Sequence, residues 1–123
     1  MTDYEDAVRG TDNGKHDDVQ FYLDGMSEEH GEIYGVFKRM RRGDYGEKVM
    51  MEVKMRGVAF ALRCNRQCLH DFIKETGDHH WYMTRLLQRL ELCWDDIEGT
   101  NLIKIKIRAA KKQILGKGSN REE

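Results

Sequence analysis

The stretch that decides the predicted fold is VMMEVKMRGVAFALRC, residues 49–64. In its first half the apolar side chains recur at every second position, the period of a half-buried strand: Val49, Met51, Val53 and Met55. Gly57 fits a tight turn, and residues 58–64 form a second β-prone run. The stretch therefore predicts an antiparallel β-hairpin that turns at Arg56-Gly57.

The segments before and after this hairpin predict further elements. Residues 19–23 are β-prone, and a helix from Ser27 to about Arg41 would collect Ile33, Val36, Phe37 and Met40 on one face. Asn65 and Asp78 fit the first positions of two more helices, which Gly77 and Gly99 would end. Two or more helices thus accompany the predicted strands.

The segment after Gly99 has two interpretations. Ile103, Ile105 and Ile107 alternate with basic residues, which predicts a strand with a basic, solvated face. The same segment also fits a helix with one apolar face, formed by Ile103, Ile107, Ala110 and Ile114. With the strand interpretation the order is β-α-β-β-α-α-β. That order predicts an α+β fold of the ferredoxin-like or split βαβ type, an antiparallel sheet with its helices on one face.

Acidic residues are concentrated near the N-terminus and basic residues in the rest of the chain. Residues 1–32 carry ten acidic and two basic side chains, a net charge of −8, and residues 33–123 carry 19 basic and 12 acidic ones, a net charge of +7. We expect residues 1–17 to be a disordered acidic arm, residues 18–115 a single α+β domain, and residues 116–123 a flexible tail. Such a layout suits a basic body that meets an anionic partner.

The composition limits the cellular compartments in which the protein is expected. No apolar run approaches the roughly 18 residues of a membrane span, and the N-terminus lacks the basic and apolar regions of a signal peptide. The cysteines number three and have no small-loop framework. These features predict an intracellular, cytoplasmic protein with reduced thiols and no membrane contact.

Two segments resemble the RNA recognition motif family. FYLDGM, residues 21–26, is similar to the family's first-strand signature, and RGVAFALR, residues 56–63, is similar to its third-strand signature. The resemblance implies that Tyr22 and Phe60 stack on bases and that Arg56 contacts phosphate. The alternative is an ordinary amphipathic strand, in which Phe60 faces the core together with Val58, Leu62 and Cys64.

Two basic clusters support contact with an anionic partner. One lies at the end of the first predicted helix, and the other dominates the C-terminal stretch, where residues 104–121 hold seven basic residues and no acid. Both fit phosphate contacts or a solvated face. The residues assigned to nucleic-acid binding from these clusters are Arg39, Arg41, Arg42, Lys104, Lys106, Arg108, Lys111 and Lys112.

No motif names a reaction, a metal or a cofactor. Cys64, Cys68 and His70 lack the second ligand pair of a structural zinc site, and no phosphate-binding loop or nucleophile elbow is present. The sequence thus predicts a small non-enzymatic nucleic-acid-binding protein, with RNA slightly preferred over DNA. The alternative is a small viral or accessory regulator that binds and inhibits or adapts a larger protein. Homodimer formation is compatible with either.

Overall fold

The chain is described by a computed structural model, which covers residues 2–11 and 19–115, with side chains of the last helix through Lys112. These residues form six helices and no strand: α1 (Asp3–Thr11), α2 (Val19–Arg42), α3 (Glu47–Arg56), α4 (Val58–Cys64), α5 (Arg66–Arg89) and α6 (Trp94–Leu115). The predicted α+β, ferredoxin-like fold is therefore wrong. The predicted tail, residues 116–123, lies outside the described residues.

The predicted hairpin is a pair of helices that meet at Gly57. In α3, Val49 is buried and Val53, four positions later, packs on the same core, whereas Met51 is 43% exposed and Met55 75% exposed. The inward residues thus follow the helical spacing rather than the two-residue period. Methionine, glutamate and lysine make up most of residues 47–56, and all three are good helix formers.

The two longest helices, α2 and α5, form an antiparallel pair that organises the molecule. Phe21 and Gly25 lie beside Tyr82 near one end of the pair, and Phe37 packs edge-on against Phe72 toward the other, with ring centroids 5.7 Å apart. A side chain on Gly25 would overlap the Tyr82 ring, so the glycine permits the close approach of the two backbones.

A hydrophobic core fills the space between this pair and the short helices α3 and α4. Its buried members are Val36, Met40, Val49, Ala61 and Cys68. Val36 and Met40 belong to the apolar face predicted for the first helix, so that face is confirmed. The Tyr45 hydroxyl donates to an Asp71 carboxylate oxygen at 2.6 Å, which ties the α2–α3 turn to α5.

Some helix boundaries agree with the sequence and others do not. Gly43 and Gly57 have φ angles of +92°, a conformation that favours glycine, and they follow α2 and α3. Asn65 precedes α5 as predicted. By contrast, the predicted starts at Ser27 and Asp78 lie inside α2 and α5, and the predicted ends at Gly77 and Gly99 lie inside α5 and α6. The β-prone residues 19–23 form the first turns of α2. A glycine in a helix interior costs only about 1 kcal/mol, and at Gly77 the packing of α5 on α2 outweighs that cost.

Residues 3–11 were expected in a disordered arm, but they form α1, which packs on α5. Thr2 and Glu5 make a capping box at its start: the Thr2 N–H donates to Glu5 Oε1 at 2.8 Å, and the Glu5 N–H donates to Thr2 Oγ1 at 3.2 Å. Val8 and Glu5 are each 2% exposed. Residues 12–18, the rest of the predicted arm, lie outside the described residues.

Candidate interaction surface

The first turn of α6 is fixed to α1 and α5 by three contacts of Trp94. Its backbone N–H donates to Glu5 Oε2 at 3.0 Å, and its indole N–H donates to Thr84 Oγ1 at 2.9 Å. Its ring stacks on His80, with centroids 4.9 Å apart. These contacts come from two other helices, so the first residue of α6 is held against the body.

The start of α6 is also capped by its own acidic residues. Asp96 accepts the backbone N–H of Cys93 at 2.9 Å, and this hydrogen bond lowers the pKa of the Asp96 carboxyl. Asp95 lies beside it in the first turn. Negative charge at a helix N-terminus complements the helix dipole, so the helix is stabilised where it begins.

Beyond its first turns α6 makes no extensive packing contact with the other described helices. Four large apolar side chains of this part are at least half exposed: Leu102 at 50%, Ile103 at 62%, Ile105 at 54% and Ile107 at 53%. Single exposed apolar residues are ordinary on a protein surface, but four on one helix make α6 the candidate interaction surface.

The exposed apolar residues of α6 form two stripes. Residues three or four positions apart share a helix face, so Ile103, Ile107 and Ala110 form one stripe and Leu102, Ile105 and Ala109 form the other. At about 100° per residue the two stripes lie on opposite sides of the helix, roughly 140° apart. We call them the Ile103 stripe and the Leu102 stripe. One packing partner could cover only one of them.

The C-terminal basic residues predicted to bind nucleic acid lie on this helix, not on a strand. Lys104, Arg108 and Lys111 recur at helical spacing and form one row between the two stripes, whereas Lys106 lies on the other side of the helix. Lys112 continues the line of the Leu102 stripe. The structure thus distributes the five cations around α6 instead of placing them on one face.

The other predicted site residues do not join α6 in one surface. Tyr22 is fully buried, so its ring cannot stack on a base, and the Arg56 guanidinium lies 4.3 Å from the centroid of the Phe60 ring. Arg39 donates to the Tyr45 hydroxyl at 3.3 Å, and Arg42 pairs with Asp44. These contacts lie within or between α2, α3, α4 and the turns beside them. The sheet face implied by the resemblance is absent from the described residues.

Arg41 lines a shallow apolar groove along α2. The groove has a volume of about 340 Å³ and is also lined by His30, Ile33, Tyr34, Phe37 and Val58. Phe37 and Val58 also pack against the main core. The groove therefore follows the edge of the core between α2 and α4.

Three carboxylates meet at the α2–α5 interface. Glu29, Glu75 and Asp78 can bring one oxygen each within 4.8 Å of one another, and among the described residues they are the group that could hold a cation. Burial, the hydrogen bond shared with Glu75 and the nearby Asp78 carboxylate raise the pKa of Glu29 to about 7. This cluster could not be predicted from the sequence, because the two helices bring together residues 46 or more positions apart.

Comparisons with protein-family models, with curated proteins and with solved structures find no match to this chain. None of the helices in the described residues combines the length and apolarity needed to cross a membrane. The surface chemistry of α6 is therefore the basis for a functional proposal.

Proposed function

We propose that this protein is an interaction module that docks on a larger protein through the Ile103 stripe of α6. The observation that carries the proposal is the exposure of Ile103 and Ile107, which are 62% and 53% accessible on a helix anchored at its first turn. Burying one such side chain contributes about 1.5–3 kcal/mol, so a groove that accepts both would gain binding energy. This mode is a helix laid into a groove.

The charges beside the Ile103 stripe indicate which charges the partner's groove should carry. Lys106 lies along one side of the stripe and Lys111 along the other, and both are exposed. A complementary groove is therefore apolar at its floor and acidic at both rims. Rim charges of this kind raise the association rate and select among partners more than they add affinity.

The anchored start of α6 favours binding because it reduces the ordering that association requires. The helix is already formed and its first residue is held against the body by the contacts of Trp94 with Glu5, Thr84 and His80. A preformed recognition helix loses less conformational entropy on docking than a segment that folds on its partner.

Site-specific photocrosslinking in cells tests the proposal. A photoreactive phenylalanine analogue would replace Ile103 in the full chain, and the matched control would carry it at Ile73, an isoleucine of α5 that is 60% exposed. We expect discrete protein adducts from position 103 that disappear when Lys106→Glu and Lys111→Glu are added. Equal adducts from both positions, or none from position 103, would exclude docking through this stripe.

Nucleic-acid binding is a second candidate function. The observation that favours it is the run of five cations and no acid between residues 104 and 112 on an exposed helix. A salt titration with RNA and with single-stranded DNA tests it. For each phosphate that a Lys106→Glu, Lys111→Glu variant no longer neutralises, the slope of log K against log salt should decrease by about 0.7–0.9. Absence of salt-dependent binding by the unmodified protein would eliminate this candidate.

An intracellular location is also a proposal. Cys64, Cys68 and Cys93 are all free thiols in the structure, and Cys64 is exposed. Exposed free thiols persist in reducing compartments, which supports the assignment. A membrane-permeant alkylating reagent, added before lysis and kept present while the protein is unfolded, would test it. All three cysteines should then be modified, because we expect all three to be reduced in the cell.

A further inference from the structure

We infer that the Leu102 stripe pairs antiparallel with the same stripe of a second copy of this chain. The pairing goes beyond the proposed docking function, since it uses the opposite side of α6 and leaves the Ile103 stripe accessible. Leu102 and Ile105 are 50% and 54% exposed and lack a covering helix among the described residues.

The ends of the Leu102 stripe carry opposite charges, which identifies a second copy as the occupant. Continued at the same helical spacing, the stripe is preceded by Asp95 and Glu98 and followed by Lys112. The stripe is therefore acidic at its beginning, apolar in the middle and basic at its end. A surface with this polarity is complementary to itself when one copy is reversed.

The spacing of these residues defines one register. Positions 95, 98, 102, 105, 109 and 112 alternate steps of three and four, which is the seam of a two-helix coiled coil. In the reversed pairing Leu102 of each copy lies opposite Ile105 of the other, which gives two apolar layers at the centre. Asp95 then lies opposite Lys112 of the other copy at both ends, and Glu98 lies opposite Ala109, one layer closer to the centre.

The alternative arrangements are less favourable. A parallel pair would place Asp95 beside Asp95 and Lys112 beside Lys112, so every charged contact would be repulsive. Pairing through the Ile103 stripe would bring Lys106 and Lys111 of both copies together, because both flank that stripe. The antiparallel Leu102 pairing is the one that satisfies charge and apolar residues together.

The association should be weak, because the seam has only two fully apolar layers. A pair of helices that meets over residues 95–112 is about 27 Å long and forms a small interface. We expect a reversible dimer with a dissociation constant on the order of 10 µM, a concentration that sedimentation measurements reach easily.

Sedimentation equilibrium of full-chain variants with reversed charges at positions 95 and 112 tests whether the chain pairs with itself and whether the two helices are antiparallel. Asp95→Lys and Lys112→Asp should each weaken the dimer about tenfold or more, because each places like charges together at both ends. The double variant, Asp95→Lys with Lys112→Asp, should recover most of the affinity, since both pairs are restored with their signs exchanged. Lys54→Asp, an exposed lysine of α3, is the control and should leave the dimer unchanged.

The outcomes separate this inference from the proposed function. A protein that stays monomeric to about 1 mM, or a double variant weaker than both single variants, would overturn the antiparallel pairing. Either result would leave crosslinking from Ile103 as an independent test of docking. Conversely, a dimer that responds to the charge exchange as expected would stand even if position 103 gave no adducts.

Discussion

The Glu5 carboxylate accepts the backbone N–H of Trp94 at 3.0 Å, across 89 positions of sequence. Its other oxygen accepts the N–H of Thr2 at 2.8 Å, so one buried side chain serves the first turns of both α1 and α6. Gln88 donates to the Glu5 backbone carbonyl at 2.7 Å and connects the same point to α5. Glu5 thus joins three helices at the base of the interaction surface.

We expect Glu5→Gln to weaken this junction. Glutamine has one acceptor oxygen, so one of the two N–H donors loses its partner. The amide of Trp94 should then exchange with solvent faster and the melting temperature should fall, as followed by hydrogen exchange and circular dichroism. Asp3→Asn, an exposed change in the same helical turn, is the control. Unchanged protection of Trp94 would contradict the role assigned to Glu5.

The same residue predicts a dependence of stability on pH. The N–H donors of Thr2 and Trp94 lower the pKa of Glu5 below its ordinary value of 4.5. A carboxyl with a lowered folded-state pKa adds stability at higher pH and loses it as the pH falls through that pKa. The difference in melting temperature between the native protein and Glu5→Gln should therefore be constant above pH 5 and shrink below pH 4.5. A difference that grows on acidification would be inconsistent with this assignment.

Gly25 and Gly31 provide a matched pair of substitutions in α2. Gly25→Ala would place a methyl group on the Tyr82 ring and should destabilise the protein by about 1–3 kcal/mol. Gly31→Ala meets no atom within 4 Å and should stabilise it by up to about 1 kcal/mol, because alanine favours the helix. Urea unfolding of both variants checks the opposite signs. Similar effects of the two changes would refute the close packing of α2 on α5.

Because of Glu29, the stability of the folded protein should decrease as the pH rises from acidic to neutral. Its pKa is raised to about 7, chiefly by burial and by the Glu75 carboxyl, so the folded state binds its proton more tightly than the unfolded state. Stability contributed by that proton is complete below about pH 4.5 and is lost as the pH rises through 7. Glu29→Gln should match the native protein at pH 5 and exceed it at pH 8 by about 1 kcal/mol, allowing for partial solvation.

Thermal unfolding at the two pH values measures this effect. Glu28→Gln, on an exposed neighbour of the same helix, is the control and should show no such pH-dependent gain. If Glu29→Gln and the native protein differ equally at pH 5 and pH 8, the three carboxylates do not interact as the structure indicates.

Leu87 and Leu90 should respond differently to truncation although they lie one turn apart. Leu87 is 3% exposed, and Leu87→Ala should cost about 2–5 kcal/mol through the cavity it leaves. Leu90 follows the last residue of α5 and is 49% exposed, so Leu90→Ala should cost less than about 1 kcal/mol. Chemical denaturation of both variants measures the difference in the free energy of unfolding. A larger loss of stability at Leu90 would contradict the conclusion that α5 ends before it.

The sequence predicted two chain turns better than the elements between them. Gly43 was expected to end a helix and Gly57 to form a turn; both have positive φ angles and follow helices, and the predicted apolar face around Val36 and Met40 is correct. The error lies at residues 49–55. A valine at 49 and another at 53 satisfy both the strand and the helix period, so the outcome depends on Met51 and Met55, whose exposure follows from tertiary packing.

The candidate site was predicted in part. The helical alternative for Ile103, Ile107, Ala110 and Ile114 matches the element that forms, and the five C-terminal cations do lie on an exposed segment. The contacts that orient this helix could not be predicted, because Glu5 and Trp94 are distant in sequence and neither belongs to a recognisable motif. The alternation of isoleucine with basic residues places apolar side chains on two sides of the helix, the Ile103 stripe and the Leu102 stripe. The helical alternative predicted from the sequence contained only the first of them.

Both tryptophans lie at one end of this molecule, so tryptophan fluorescence reports on that end and not on the other. The Trp81 indole N–H donates to Thr11 in α1 at 2.9 Å, and Trp94 stacks on His80, so both emitters report on the junction of α1, α5 and α6. The core around Val49 and Ala61 contains neither of them. Emission that changes before the far-ultraviolet circular dichroism signal would therefore record the opening of this junction while most of the helical structure persists.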